Sequence, residues 1–415
     1  MFEQLFNSPS RIQELRDRPS GHLLEDFAEE LNQVGYAEIT ARGHLRAAEH
    51  LVYWVSQEGR SINTLDERLV EDFVHHLNQC RCPRYGHTYR LKLRQGVRLF
   101  FNHLQRIGVV SLPLIKQTVE EPPLFAAFCD WMRLQRGTSD RTLYNYGRAL
   151  RNLLKSLGEE PGKFDAQNLR KFILERSQRC GWAAAKHSFT AVRMFLRFLI
   201  AEGKCAAALE AAVPVLAHWR LSSLPRYLQS DEVERIIDSC DLSAPVGKRD
   251  RAILLLLARL GLRAGDIVQL RLGDIDWHGA WIQVSGKGRR QTRLPLTQEI
   301  GKAIVAYLQE GRPQSDADRV FIRARAPFRA LASHSAVSVI VNRAMRRAGV
   351  TCPSRGAAHL LRHSAATSML GQGASLQEIG AILRHRSIQT TQIYAKVDVV
   401  ALRQIAQPWP EVTSC

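Results

Sequence analysis

The amino-acid sequence predicts a mainly α-helical protein with one small antiparallel β-sheet, built as two successive helical domains and a mixed α/β domain. Three observations carry this. Apolar residues recur at threes and fours through most of the first 220 positions, the period of a buried helix face. Within that stretch a set of sequence blocks occurs twice in the same order, the mark of a duplicated unit. Between Asp274 and Leu294, three short alternating segments are separated by glycine-containing turns, which fits a meander of strands.

The repeat is clearest where Val97-Arg98-Leu99-Phe100-Phe101, leading to Gly108, returns as Val192-Arg193-Met194-Phe195-Leu196, leading to Gly203. Phe27 and Leu31 are echoed by Phe128 and Met132. Thr40, Arg46 and Leu51 are echoed by Thr142, Arg148 and Leu153, and Leu69 to Phe73 by Leu169 to Phe172. The boundaries that follow are a first helical domain over 1–112, its second copy over 113–220, a linker over 221–229 and the mixed domain over 230–415. In the second copy Leu143, Tyr146, Leu150, Leu153 and Leu157 form one apolar face, with Ser139 or Asp140 as its N-cap. Ala217 to Tyr227 has no apolar period and reads as linker; a helix follows from Ser230, with Asp231 and Glu232 in its favourable first turn.

In the last domain an apolar helix runs from Arg249 to Gly261. Strands follow over Asp274–Trp277, Trp281–Val284 and Gln291–Leu294, with Lys287 at a hairpin tip. Helical patterns then resume. His359 and Arg362, at i and i+3, share a helix face.

Composition narrows the function. Of 415 residues, 45% are hydrophobic and 24% charged, the balance of a folded chain rather than a disordered one. Lys and Arg total 58 against 40 Asp and Glu, a net charge of +18 that favours a polyanionic partner, nucleic acid being the commonest. The excess is uneven: residues 1–120 hold 15 basic and 15 acidic side chains, 121–225 hold 16 and 9, and the remainder 27 and 16. If double-stranded DNA is that partner, the last two-thirds of the chain is expected to do most of the gripping, with Arg141, Tyr144, Arg148, Lys186, Arg193 and Arg197 as its contacts in the second helical domain and Arg289 and Arg290 on the hairpin. The neutral first copy is expected to serve protein contacts or weaker DNA contacts. No apolar run is long enough for a bilayer and no secretory signal is apparent, so a cytoplasmic, nucleoid-associated location is expected. Eight scattered cysteines suit reduced thiols. Cys80 and Cys82, with His75, His76 and His87 near them, lack the wider spacing and second ligand pair of a zinc site, so no metal is expected. No cofactor-binding loop is apparent either.

Twenty-three residues after Arg362 stands His385, and nine further on Tyr394, the last tyrosine of the chain. An Arg after Gly-Leu (Arg263), a Lys on a β-hairpin (Lys287), His-x-x-Arg (His359, Arg362), a His (His385) and a Tyr (Tyr394) occur in the order of the tyrosine recombinase (phage integrase) family, which the chain resembles over about 121–405, including the Xer-type enzymes. Singly each residue would read as a solvated or structural side chain; the ordered set of six does not arise readily by chance. The resemblance implies a SAM-like core-binding helical domain, here duplicated, ahead of a recombinase catalytic domain. It implies Tyr394 as nucleophile forming a 3′-phosphotyrosyl link, Lys287 as donor of a proton to the departing 5′ oxygen, His385 on the phosphate, and a tetramer on synapsed DNA, with partner recombinases allowed. That assembly uses an exchanged C-terminal helix, for which Val399, Val400, Leu402 and Ile405 offer an apolar face.

Elementary chemistry agrees. The pentacoordinate phosphorane gains negative charge that two forked guanidiniums, Arg263 and Arg362, neutralise better than lysines. A phenol with a pKa near 10 is ionised only to about a thousandth at neutral pH, so Tyr394 needs a base, with His359 the expected acceptor. No acidic cluster of the two-metal kind is apparent, and a route without metal or ATP is expected. His363 reads as structural. Two departures stand out: Ala264-Gly265-Asp266 where the family often has Ser-Glu after its first arginine, and Arg384 where many relatives have glycine. The duplicated helical domain points to integration, excision or transposition of a mobile element. A type IB topoisomerase and a non-catalytic architectural DNA-binding protein are the alternatives.

Overall fold

A computed structural model describes residues 1–18, 20–83, 85, 90–111, 121–215, 224–285, 291–353 and 356–407. Backbone contacts divide it into two compact units, Ser111–Arg220 forming one and Met1–Val110 with Leu221–Cys415 the other. The expected class holds: helices dominate, with a single three-stranded sheet among the described residues.

The first 110 residues fold as α1 (Phe2–Leu5), α2 (Pro9–Arg16), α3 (Gly21–Gln33), α4 (Glu38–Gln57), α5 (Glu67–His76) and α6 (Arg90–Arg106). Their apolar stripes close on Phe27, Leu51, Phe73, Phe100 and Leu104, all essentially without solvent contact. Phe27 and Phe100 meet with ring centroids 5.2 Å apart.

The unit Ser111–Arg220 holds α7 (Pro123–Arg136), α8 (Asp140–Leu157), α9 (Ala166–Arg179) and α10 (Trp182–Ala201) around Phe128, Leu150, Leu153, Phe195 and Leu199. A one-turn 3-10 helix lies between α8 and α9 (Pro161–Lys163), as another lies between α4 and α5 (Ile62–Thr64), so the order of elements as well as the sequence blocks occurs twice. Helix α7 stops at Gly137, whose left-handed φ of +56° suits a residue without Cβ.

The rest of the chain builds the layer that carries the site: α11 (Ser230–Asp238), α12 (Pro245–Arg259), α13 (Ala264–Gln269), strands β1 (Ile275–Asp276), β2 (Trp281–Ser285) and β3 (Gln291–Pro295), then α14 (Gln298–Glu310), α15 (His334–Arg347), α16 (Ala357–Gly371), α17 (Leu376–Ile382) and α18 (Val399–Ile405). Residues 252–258 of α12 are buried on every side, which makes it the central helix, packed against α11, α13, α14, α15 and α16. It begins at Pro245 rather than Arg249, because proline is pre-set for the first helical position and the charges of Arg249 and Asp250 neutralise one another inside, 2.7 Å apart. Helix α11 is capped by Gln229, whose N–H donates to Glu232 at 2.9 Å, one position before the expected start.

The sheet runs β1-β2-β3, antiparallel throughout, with Ile282 opposite Leu294 and Val284 opposite Thr292. Ile282, Val284 and Leu294 face the core; on the other face the Arg293 guanidinium lies 4.3 Å from the Trp281 ring centroid. The β2–β3 connection over 286–290, with Lys287, Arg289 and Arg290, and most of the expected linker lie outside the described residues.

The caps offer a direct check on local stability. Asp165 accepts the Asn168 N–H at 2.8 Å at the start of α9, so Asp165→Ala is expected to lower the stability of its unit by about 1 kcal/mol in urea unfolding.

Candidate active site

Two arginines distant in sequence meet because one short turn holds both. Helix α17 ends at Ile382, and the next two carbonyls point back to the cleft. That of Leu383 accepts from Arg362 and that of Arg384 from Arg263, the latter at 3.1 Å. A third carbonyl, Gly261, also accepts from Arg362. Gly261 has φ +57°, a conformation that favours glycine, and a Cβ there would meet the Leu383 side chain at 2.5 Å. Arg384 itself takes φ +54°, a conformation costly for a residue with a Cβ.

The two departures from the family pattern meet at this point. Asp266, in the first turn of α13, accepts the Arg263 N–H at 2.8 Å and pairs with the Arg384 guanidinium. The Arg384 side chain is only 6% exposed and meets Asp266 through Nη2, while its Nε and Nη1 are buried without a hydrogen-bond partner. The short aspartate arm thus makes the backbone contact, and the extra arginine neutralises it.

Arg263, His359, Arg362 and His385 line one open cleft of about 970 Å³, together with Asp266, Arg384 and Thr391. Arg362 is almost wholly buried at the cleft floor; burial and then the charges of Arg263 and Arg384 push its pKa down to about 10. Arg263 is held below its ordinary value by burial and by Arg384. His359 faces the opening, yet loss of water against the wall, then Arg362 and Arg263, keep it below its usual range. His385 hydrogen-bonds Thr391 Oγ1 through Nδ1 at 2.8 Å, and burial followed by Arg362 takes it down to about 4.

Tyr394 stands apart from the cleft lining. It is 2% exposed, packed with Ala366, Ile379 and Leu383, and burial lifts its pKa to about 12 against the opposing pull of Arg362. The imidazole on its hydroxyl is His363, not His359: Nδ1 to Oη is 2.9 Å. His363 lies four residues beyond His359 on α16, with ring centroids 4.7 Å apart, so the i, i+4 spacing was the available signal. Burial, then His359 and Arg362, take His363 down to about 4, which leaves it neutral and able to accept.

In the unit Ser111–Arg220, Tyr144 and Arg148 border a groove of about 770 Å³ with Arg151, Lys155 and Arg176, while Arg141 is exposed at the start of the same helix, α8. Lys186 lies 5.0 Å from the Trp182 ring centroid. Arg193 and Arg197 are committed elsewhere: Arg193 donates to the carbonyls of Val213 and Pro214, and Arg197 pairs with Glu210 at 2.8 Å. At the chain end, Leu402 and Ile405 of α18 are 42% and 76% exposed.

Two outcomes follow. Asp266→Ala leaves a buried guanidinium unpaired and is expected to cost about 3 kcal/mol in denaturant unfolding, with Asp266→Asn milder. The folded chain keeps His363 and His385 neutral down to about pH 4, whereas unfolded histidine protonates near 6.5, so acidification through that window favours unfolding. Calorimetry should show a falling Tm from pH 7 to pH 5, and a shallower fall in His363→Gln.

Residues 226–400 match the model of the Phage integrase family, and residues 125–203 that of the phage integrase N-terminal SAM-like domain. The putative integrase/recombinase y4rA of Sinorhizobium fredii is 37% identical over 391 residues, spanning 92% of this chain and 93% of that protein. Tyrosine recombinase XerD of Mycobacterium tuberculosis is 33% identical over 299 residues, 67% of this chain and 94% of its own. Among solved structures, a lambda integrase (75–356) dimer bound to a COC′ core site superposes with a TM-score of 0.52 at 20% identity, covering 69% of this chain and 99% of that one. XerH bound to a palindromic difH substrate gives 0.51 at 17%, covering 88% and 95%. At such identities the structures speak for the fold, and the relative matched along nine-tenths of both sequences speaks for the family: the chain belongs to the phage integrase family of tyrosine recombinases.

Proposed function

We propose that this site-specific recombinase moves a mobile element by cutting and rejoining DNA through Tyr394. The observation that carries the reading is the convergence of Arg263, His359, Arg362 and His385 on one cleft, with both guanidiniums clamped by backbone carbonyls. Fixed donors aimed at a position where charge develops act without reorganising during the reaction. The Tyr394 oxygen attacks phosphorus, the bond to the 5′ oxygen breaks, and a 3′-phosphotyrosyl link conserves the phosphoester. The phenol proton passes to an imidazole. His363 shares a hydrogen bond with Oη and, as the Nε2–H tautomer, accepts that proton, while His359 lines the cleft that the tyrosine enters. Lys287 protonates the departing 5′ oxygen. A 5′ hydroxyl from a second duplex then reverses the step, so no ATP is consumed.

A phenol with a pKa near 12 is ionised at neutral pH to only about one part in a hundred thousand. Tyr394 in its buried position is therefore a resting nucleophile, and its exit toward the two arginines both exposes and acidifies it. Double-stranded DNA lies against the cleft and against the α8 groove bordered by Tyr144 and Arg148. The exposed apolar residues of α18 seat on a neighbouring protomer, as a head-to-tail tetramer on synapsed DNA requires. The site of action is the nucleoid, in the cytoplasm.

The test is a nicked suicide substrate carrying the element's own ends, with binding measured in parallel. Wild type should form a covalent protein–DNA adduct and Tyr394→Phe none. Arg263→Ala and Arg362→Ala should bind but cleave about a hundred- to a thousandfold more slowly. Specific binding with no adduct from wild type would point to an architectural role, and relaxation of supercoils without synapsis to a topoisomerase.

A further inference from the structure

The N-terminal helices hold a side-chain cluster that strand exchange leaves unused. His50 projects inward from α4 and is 2% exposed; His76 is the last residue of α5; Cys80 and Cys82 follow in the next loop. His50 Nε2 is 3.4 Å from Cys80 Sγ, and His76 Nε2 is 3.3 Å from Cys82 Sγ. All four donor atoms lie within 4.8 Å of one another. A tetrahedral zinc ion with Zn–S of about 2.3 Å and Zn–N of about 2.0–2.1 Å holds its donors roughly 3.3–3.8 Å apart. Two of the separations already have that value.

The surroundings suit a closed site. The Cys82 N–H donates to Cys80 Sγ over 3.4 Å, an outer contact of the kind that orients a ligand sulfur. Tyr85 stacks on His50 at 4.2 Å, Phe73 meets the same ring edge-on at 5.0 Å, and Trp54 lies 5.6 Å from His76. Two weak thiol–imidazole bonds in an apolar core would explain either pair alone. They do not explain two independent pairs, from a helix, a helix end and a loop, aimed at a common point. Two sulfurs and two imidazole nitrogens select zinc over magnesium or calcium, and four protein donors leave no open position for catalysis.

We propose that His50, His76, Cys80 and Cys82 bind one structural Zn²⁺ that fastens the loop after α5 to α4. Both thiols lose their protons to solvent on binding, and no electron transfer is involved. The expectation of no metal rested on the Cys80-x-Cys82 spacing, which lacks a second ligand pair nearby. That pair is completed from 30 residues upstream by His50. His75 is exposed and outside the cluster.

The test is metal analysis of the full chain, purified without chelators or an immobilised-metal column. About one zinc per chain is expected, falling at least tenfold in Cys80→Ser/Cys82→Ser and unchanged in Cys180→Ser. Cobalt added to the zinc-free wild type should give intense tetrahedral bands in the visible and a thiolate-to-cobalt band in the near ultraviolet. This readout needs no variant to fold. Zinc below about a tenth of an equivalent together with no thiolate–cobalt band, or undiminished zinc in the double cysteine variant, would overturn the proposal.

Discussion

The active site depends on the backbone carbonyls of Leu383 and Arg384. Successive peptide groups in one turn receive Arg362 Nη2 and Arg263, and the Gly261 carbonyl accepts from Arg362 Nη1. Neutral dipoles position the two cations without cancelling their charge. Paired with carboxylates, the same guanidiniums would have been neutralised before any phosphate arrived. The consequence is a desolvated positive cleft, in which burial first and then the Arg263 and Arg384 charges take Arg362 down to about 10. The fold carries the cost of that repulsion, and on the proposed mechanism a phosphodiester gaining charge in the transition state relieves it.

Asp266 sets the limit to that repulsion. It accepts from the Arg263 backbone and pairs with Arg384, so it fixes the start of α13 and partners a third cation without a hydrogen bond to the Arg263 or Arg362 guanidinium. The buried pair also holds Arg384 in its left-handed conformation, where glycine would need no support. The two sequence departures therefore compensate one another: the arginine that strains the turn is paired with the aspartate whose reach is short.

The proposed nucleophile, Tyr394, packs against the same turn. Leu383 presents its carbonyl to Arg362 and packs its side chain on Tyr394, so the arginine support and the buried tyrosine share one residue. Movement of the 383–394 segment would alter both the presentation of Tyr394 and the grip on Arg362. On the proposed mechanism, attack by the phenol and stabilisation of the phosphorane would be linked by this shared packing.

The helical character and the three strands could be read from the sequence, as could the chain order of Arg263, His359, Arg362 and His385, which the fold brings to one cleft. Periodicity and residue order are properties of the chain itself, and a period of 3.6 or 2 survives without knowledge of what lies opposite. Tertiary structure alone decided which imidazole meets Tyr394, because His359 and His363 share a helix face and only the packing of the 383–394 segment selects between them. It alone committed Arg193 and Arg197 to the 210–214 turn, joined Asp266 to Arg384 across 118 residues, and brought His50 to Cys80 across 30. Local sequence encodes which face of an element is buried. The partner of a buried polar group is set by the need to satisfy its charge or hydrogen bond, and the chain meets that need through space without regard to distance along the sequence.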